Sequence, residues 1–321
     1  MYWIDGHIDV AYVALLGRNI LEPCIESCNE CISIPDLVAS PISTFFGTIY
    51  TAPNDGVCGY GLSDNRDAAF AIGKKQLDIY ENLEQQGYLH IQRDGCKYTD
   101  TLSMLLLMEG ADPIRSPEEV SWWRDQGLRI VGLTWAAGTR YAGGNDNGGR
   151  LTEEGKELVA AFDDYGIVHD ASHLSDEALD DLLDCSNGMI VASHSNSRTV
   201  LNNNSERHLR DDHAKEIFKR GGVIGLNLCN QFLSKEFCLD NTGATLDDCV
   251  THVLHFCNIA GNRRQVCLGS DFDGGFSTVY LPTGLKHPKF LGNLSKELQG
   301  AGFSEDDIHS FAHGAWENIF S

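Results

Sequence analysis

The chain has 321 residues, 24 Lys and Arg against 46 Asp and Glu, a formal charge of −22, and 42% hydrophobic against 22% charged residues. This is the composition of a soluble globular protein, and its length suits either two domains or one large barrel. So negative a chain is a poor match for nucleic-acid phosphates or anionic lipid, which sets aside nucleic-acid and membrane-surface partners.

From Met1 the chain runs within a few residues into Asp5, His7 and Asp9, without the basic and apolar regions of a secretory leader. No stretch approaches the roughly 20 apolar residues of a spanning helix, so a cytoplasmic location is expected. The eleven cysteines are scattered and odd in number, which argues against a disulfide framework.

Short apolar runs then alternate with amphipathic segments. Strands are predicted at 2–5, 44–50, 103–108, 130–134, 167–171, 189–192, 223–228 and 266–269, and helices at 116–126, 152–165, 175–183, 211–219 and 246–259. Ser175 is a helix N-cap followed by Asp176 and Glu177, which suit the positive end of the dipole; Gly166 and the Gly221–Gly222 pair mark helix ends. Residues 11–65 break the rhythm and are expected to form a loop-rich insertion after the first strand. With no Pro-rich or Ser-rich linker and no repeat, the expectation is one (β/α)8 barrel over 1–321, of the metal-dependent hydrolase type.

Chemistry in such a barrel gathers at the C-terminal ends of the strands. His7 and Asp9 follow the first strand two residues apart, so alternation turns both to one side. Glu109, His173, His194 and Asp271 end four further apolar runs, giving six candidate ligands at the exits of five strands. Imidazole and carboxylate together suit Zn²⁺, with Mn²⁺ or another divalent ion as alternatives, and Glu109 can bridge two ions. Such a pair makes hydroxide available near neutral pH and polarises a carbonyl, while Asp271 is placed to move the proton to a leaving amine. His169 lies inside an apolar run and reads as structural; His208, His213, His252, His255, His287, His309 and His313 read as solvated.

At these residues the sequence resembles the membrane (renal) dipeptidase family, peptidase family M19, of the amidohydrolase superfamily. The resemblance is carried by DGHIDV (5–10), LLLMEGADPI (105–114), GLTWAAGTRYAGG (132–144), GIVHDASHLSDEAL (166–179), VASHSNSR (191–198), RGGVIGLN (220–227), GSDFDGG (269–275) and HGAWENIF (313–320), in the family's order. It implies a zinc-dependent dipeptidase with two Zn²⁺ per protomer, His7 and Asp9 on one ion, His173 and His194 on the other, and Glu109 between them. Asp271 matches the aspartate of the last barrel strand, tied to the metal site and to the substrate amine or proton transfer. Arg207 matches the arginine that holds the substrate's C-terminal carboxylate, a task suited to a bidentate guanidinium. One departure is Trp135, which stands where vertebrate-type members carry a substrate-contacting histidine; an indole has one N–H and cannot titrate. Homodimers are frequent among such proteins, though no helix here marks a self-complementary face.

Two other readings compete. Cys24, Cys28 and Cys31 form C-x3-C-x2-C, a spacing also used for an iron–sulfur cluster, but that reading leaves the six ligands idle. The alternatives in function are another amide hydrolase of the same superfamily and a non-catalytic barrel that retains a metal.

Overall fold

The computed structural model describes residues 1–25, 28–61, 64–235 and 243–321. Eight parallel strands form the ring of the main sheet: β1 (Trp3–Ile8), β2 (Ile42–Tyr50), β3 (Ser103–Glu109), β4 (Leu128–Gly132), β5 (Val168–Asp170), β6 (Ile190–Val191), β7 (Ile224–Leu226) and β8 (Val266–Leu268); a ninth, the short His90–Ile91, pairs with the start of β3 outside the ring. Their order is β7-β8-β1-β2-β3-β4-β5-β6, and a parallel bridge between Ala192 and Ile224 joins the two ends, so the sheet is a nearly closed (β/α)8 barrel. Each of the eight predicted strands overlaps one of these. The longest pairing, β2 with β3, holds register from Thr44–Ser103 to Tyr50–Glu109.

Parallel strands buried on both faces read as continuous apolar runs, which is why the sequence displays them. Side chains from around the ring, among them Ile4, Phe46, Leu105, Leu107, Ile130, Val168, Val191 and Cys267, pack inside the barrel together with Trp316. A second, larger cluster, including Phe45, Met104, Leu106, Val131, Leu158, Phe162 and Phe256, lies between the strands and the surrounding helices.

Helix boundaries follow local chemistry. Thr152 accepts from Gly155 N to open the helix Glu153–Tyr165, which ends on Gly166 at φ 64°. Ser175 accepts from Ala178 N at the start of Asp176–Cys185. Thr245 and Asp248 form a capping box for Leu246–Ala260. The 20-residue helix Arg66–Gln85 is the longest among the described residues and was not predicted.

The stretch expected to be loop-rich, 11–65, carries most of the helix Val10–Leu15, the helix Ile34–Val38 and all of the barrel strand β2; 26–27 and 62–63 lie outside the described residues. A small antiparallel hairpin, Ala142–Gly144 with Gly148–Leu151, follows β4 and was also unpredicted. Among the described residues no helix is long and apolar enough to cross a membrane.

Candidate metal centre

All six candidate ligands meet at the C-terminal mouth. His7 lies in β1 and Asp9 is the residue before the helix Val10–Leu15. Glu109 ends β3. His173, His194 and Asp271 each stand three residues past the end of β5, β6 and β8. The backbone is left-handed at His173 (φ 68°) and Asp271 (φ 61°), a conformation costly for non-glycine residues and concentrated at functional sites. Gly274 is required beside it, since a Cβ there would lie 1.7 Å from Asp271 Oδ1.

Glu109 divides the cluster. Its Oε1 lies 3.1 Å from His173 Nε2 and 3.3 Å from His194 Nε2, while Oε2 lies 3.8 Å from His7 Nε2. His7 Nε2 is in turn 3.5 Å from Asp9 Oδ2 and 4.0 Å from Asp271 Oδ1. Among the described residues, the sets of three ligand atoms within reach of one ion are His7, Glu109, His194 and His7, Asp9, Asp271. Cys24, Cys28 and Cys31 form no such set: Cys24 and Cys31 are tied to Asp36 and Asp273, and Cys28 is exposed.

The supporting hydrogen bonds set the tautomers. Ser193 Oγ donates to Asp170 Oδ2, so it accepts from Nδ1–H of His194 at 2.7 Å. The Asn145 amide N–H donates to Asp146, so its Oδ1 accepts from Nδ1–H of His173 at 2.9 Å. Both rings therefore turn an Nε2 lone pair inward, and the two Nε2 atoms are 3.1 Å apart. Burial and the nearby Arg207 and His7 hold both imidazoles well below their ordinary pKa, so a proton does not relieve the opposition of lone pairs.

The carboxylates tell the same story. Burial, with Asp9 and Asp271 alongside, pushes Glu109 up to about 8, and burial with Asp9 pushes Asp271 up to about 7. Burial would lower His7, but Asp9 and Glu109 outweigh it and raise it to about 10. Asp9 Oδ1 and His7 Nδ1 are buried without a hydrogen-bond partner. Facing lone pairs, crowded carboxylates and orphaned polar atoms fit a divalent cation bound by this donor set.

Asp271 is held from outside the cluster. Asn227 Oδ1 accepts from Cys229 N at 2.7 Å, which fixes the amide so that Nδ2 donates to Asp271 Oδ2 at 2.9 Å. Asn196 in turn grips the Asn227 backbone in both directions, at 3.0 and 2.9 Å. Arg207 is buried, donates to Ser195 Oγ (3.2 Å) and His194 O (2.9 Å), and lies 4.9 Å over the Phe232 ring. Its Nε has no partner in the protein. Trp135 sits three residues past β4, with its ring 5.4 Å from Tyr50 and 6.0 Å from His173. Arg207, Trp135 and five of the six candidate ligands, Asp9, Glu109, His173, His194 and Asp271, open on one pocket of about 310 Å³, lined also by Tyr12, Tyr50, Asp55, Phe232 and Phe276.

The sequence reading missed Asn145, Asp170, Ser193 and Asn227. The Asn-Asp-Asn-Gly of 145–148 is a hairpin-turn signal that locates Asn145; nothing in the sequence pairs Asn227 with Asp271, 44 residues away. His169 is structural as expected, bonded to Asp163 at 2.6 Å. His208, His213 and His252 are not solvated but buried, because the loops and helices carrying them turn inward. His252, for example, accepts from Ser197 N and donates to Leu233 O.

Comparison with known proteins places this arrangement. The solved metallopeptidase from Rhodobacter sphaeroides, liganded with a phosphinate mimic of the dipeptide L-Ala-D-Ala, superposes with a TM-score of 0.86 over 100% of this chain and 98% of that one, at 22% identity. A probable dipeptidase from Pseudomonas aeruginosa gives a TM-score of 0.85 over 100% and 94%, at 17% identity; at these identities the likeness concerns the fold. An uncharacterized dipeptidase of Schizosaccharomyces pombe is 33% identical over 177 residues, 53% of this chain but only 39% of that protein's length. An uncharacterized protein of Acinetobacter calcoaceticus is 29% identical over 250 residues, 73% of this chain and 78% of its own. The family model for membrane dipeptidase matches residues 1–320, and the chain therefore belongs to that metallopeptidase family, peptidase family M19.

Proposed function

We propose that this chain is a zinc-dependent dipeptidase acting on small dipeptides, with 1–321 forming one catalytic domain. The observation that carries the reading is the inward convergence of His7, Asp9, Glu109, His173, His194 and Asp271, with Glu109 presenting one oxygen to each half of the cluster. His7 and Asp9 with Asp271 would hold one ion, His173 and His194 the other, and Glu109 would bridge. Two divalent ions held there, Zn²⁺ or alternatively Mn²⁺, would supply hydroxide near neutral pH and would polarise the scissile carbonyl.

The protein's own groups do the rest. Asp271 has one oxygen committed to Asn227, which leaves Oδ1, on the His7 side, to take a proton and pass it to the leaving amine. Arg207 is held in place by Ser195 and the His194 carbonyl and lines the pocket, where its guanidinium is placed to meet the substrate's carboxylate. Trp135, in place of a titratable imidazole, forms a pocket wall and not a proton-transfer group.

The test combines metal analysis of the purified chain with hydrolysis of free dipeptides, C-terminally amidated dipeptides and N-acyl amino acids. Near two equivalents of zinc or manganese, with turnover of free dipeptides, supports the reading. Preferred turnover of N-acyl amino acids would move the chain to another amide hydrolysis. Arg207→Ala is expected to lower kcat/KM for free-carboxylate dipeptides by about 10²-fold, and much less for amidated ones. Equal losses on both would remove Arg207 from carboxylate recognition.

A further inference from the structure

Away from Arg207 the pocket wall changes character. Tyr12, from the helix after β1, meets Tyr50, the last residue of β2, edge to face at 5.5 Å, and Tyr50 meets Trp135 in the same way at 5.4 Å. Asp55, in the loop after β2, lines the pocket with these three rings. Its Oδ1 accepts from Val57 N at 2.7 Å and Cys58 N at 2.5 Å, which fixes the carboxylate and leaves the second oxygen uncommitted. Among the described residues no Lys, Arg or His forms an ion pair with Asp55, although such pairs are frequent elsewhere on this acidic chain.

Barrel order sets the direction. The loop bearing Asp55 leaves β2 and the loop bearing Arg207 leaves β6, four strands apart in a ring of eight, so the two stand on opposite sides of the mouth with the ligand cluster between them. A dipeptide with its carboxylate on Arg207 and its peptide bond over the cluster therefore points its N-terminal residue at Tyr12, Tyr50, Trp135 and Asp55. Aromatic rings present negative electrostatic faces, and a fixed carboxylate beside them favours a positive group and disfavours a negative one. The α-amine sits one carbon from the scissile carbonyl and so stays over the ligand cluster, which leaves the end of the side chain as the group that reaches Asp55.

We propose that Tyr12, Tyr50, Trp135 and Asp55 form a subsite for a cationic N-terminal side chain, making dipeptides that begin with Lys or Arg the preferred substrates. The proposal rests on the dipeptidase reading with Arg207 at the carboxylate end.

The experiment measures kcat/KM of the metal-loaded enzyme for Lys-Ala, Arg-Ala, norleucine-Ala and Glu-Ala, in the natural chain and in Asp55→Asn. Norleucine carries the four-carbon stem of Lys without its charge. Asn keeps an acceptor for Val57 and Cys58 while removing the charge, and Asp55→Glu restores it. Lys-Ala is expected to exceed norleucine-Ala by about tenfold, with Glu-Ala lowest. Asp55→Asn is expected to bring the Lys-to-norleucine ratio close to one, Asp55→Glu to recover part of it, and added KCl to shrink it. A ratio near one in the natural chain, or an equal loss on both substrates in Asp55→Asn, overturns the subsite while leaving the dipeptidase reading intact. Failure to turn over any dipeptide overturns both.

Discussion

The two ends of the barrel use the same eight strands to opposite purposes. At the N-terminal end Tyr2 stacks on His313 and bonds to Glu317, and the neighbouring Trp316 runs up inside the strands. Its ring packs against Phe46 at 4.6 Å and donates Nε1–H to Leu268 O at 2.9 Å. Gly6 leaves the space, since a Cβ there would lie 2.4 Å from the indole. The indole is fully buried and its one polar atom is satisfied. At the other end, a few residues further along each strand, carboxylates crowd together, imidazole lone pairs face each other and His173 and Asp271 hold left-handed backbone. The strain at the mouth is tolerable because the packed end fixes the strands independently of it.

Substitutions at the two ends are therefore expected to separate activity from stability. His194→Ala is expected to lower kcat/KM by about 10³-fold or more and to cost metal, while the thermal stability of the metal-free protein changes little or rises. Full turnover with two metals retained would break the comparison from the functional side. Trp316→Ala is expected to destabilise by about 3–5 kcal/mol in denaturant unfolding, with metal stoichiometry unchanged in the folded fraction. A small stability change with lost metal would mean that the floor of the site, not the barrel, depends on this ring.

Ser193→Ala tests the boundary between the ends, because Ser193 relays Asp170 to His194 Nδ1. It is expected to weaken metal binding by about 10–100-fold in a chelator competition, with unfolding little affected. The smallest effect concerns pH. Burial lowers His252 to about 4, and burial with Arg207 lowers His208 to about 3. In the unfolded chain both bind protons near 6.5, so the unfolded state gains protons first as pH falls. Their contribution to stability is therefore complete above about pH 6.5 and declines towards pH 4. His252→Gln is expected to flatten the dependence of Tm on pH between 6.5 and 4.5; an unchanged slope would show that His252 does not titrate against folding.

The sequence displays the parts of this molecule whose cause is local. The run Met104–Met108 is apolar without interruption because β3 is covered on both faces, and Glu109 stands out as the first polar residue after it. The same logic makes His173, His194 and Asp271 legible as strand-exit residues, though the true strands stop three residues earlier and the chain then bends back over the mouth. What stays hidden is whatever depends on that bending. Asn145 reaches His173 across 28 residues and Asn227 reaches Asp271 across 44, contacts that no spacing encodes. The burial of His252 is hidden for the same reason: its helix looks half polar, and only packing against Ser197 and Leu233 decides which face turns inward.

The position of Trp316 has a consequence for biosynthesis. The indole that fills the barrel beneath the site lies 310 residues after Gly6, the position that makes room for it. At roughly 5–20 residues per second, on the order of 15–60 s pass between the synthesis of the two. Through that interval His7 in β1 and Asp9 just after it lack the plug that sets the floor, and the strand that brings Asp271 is made only late in it. The six residues gathered at the mouth therefore come together over a floor that is complete only once Trp316 has been made.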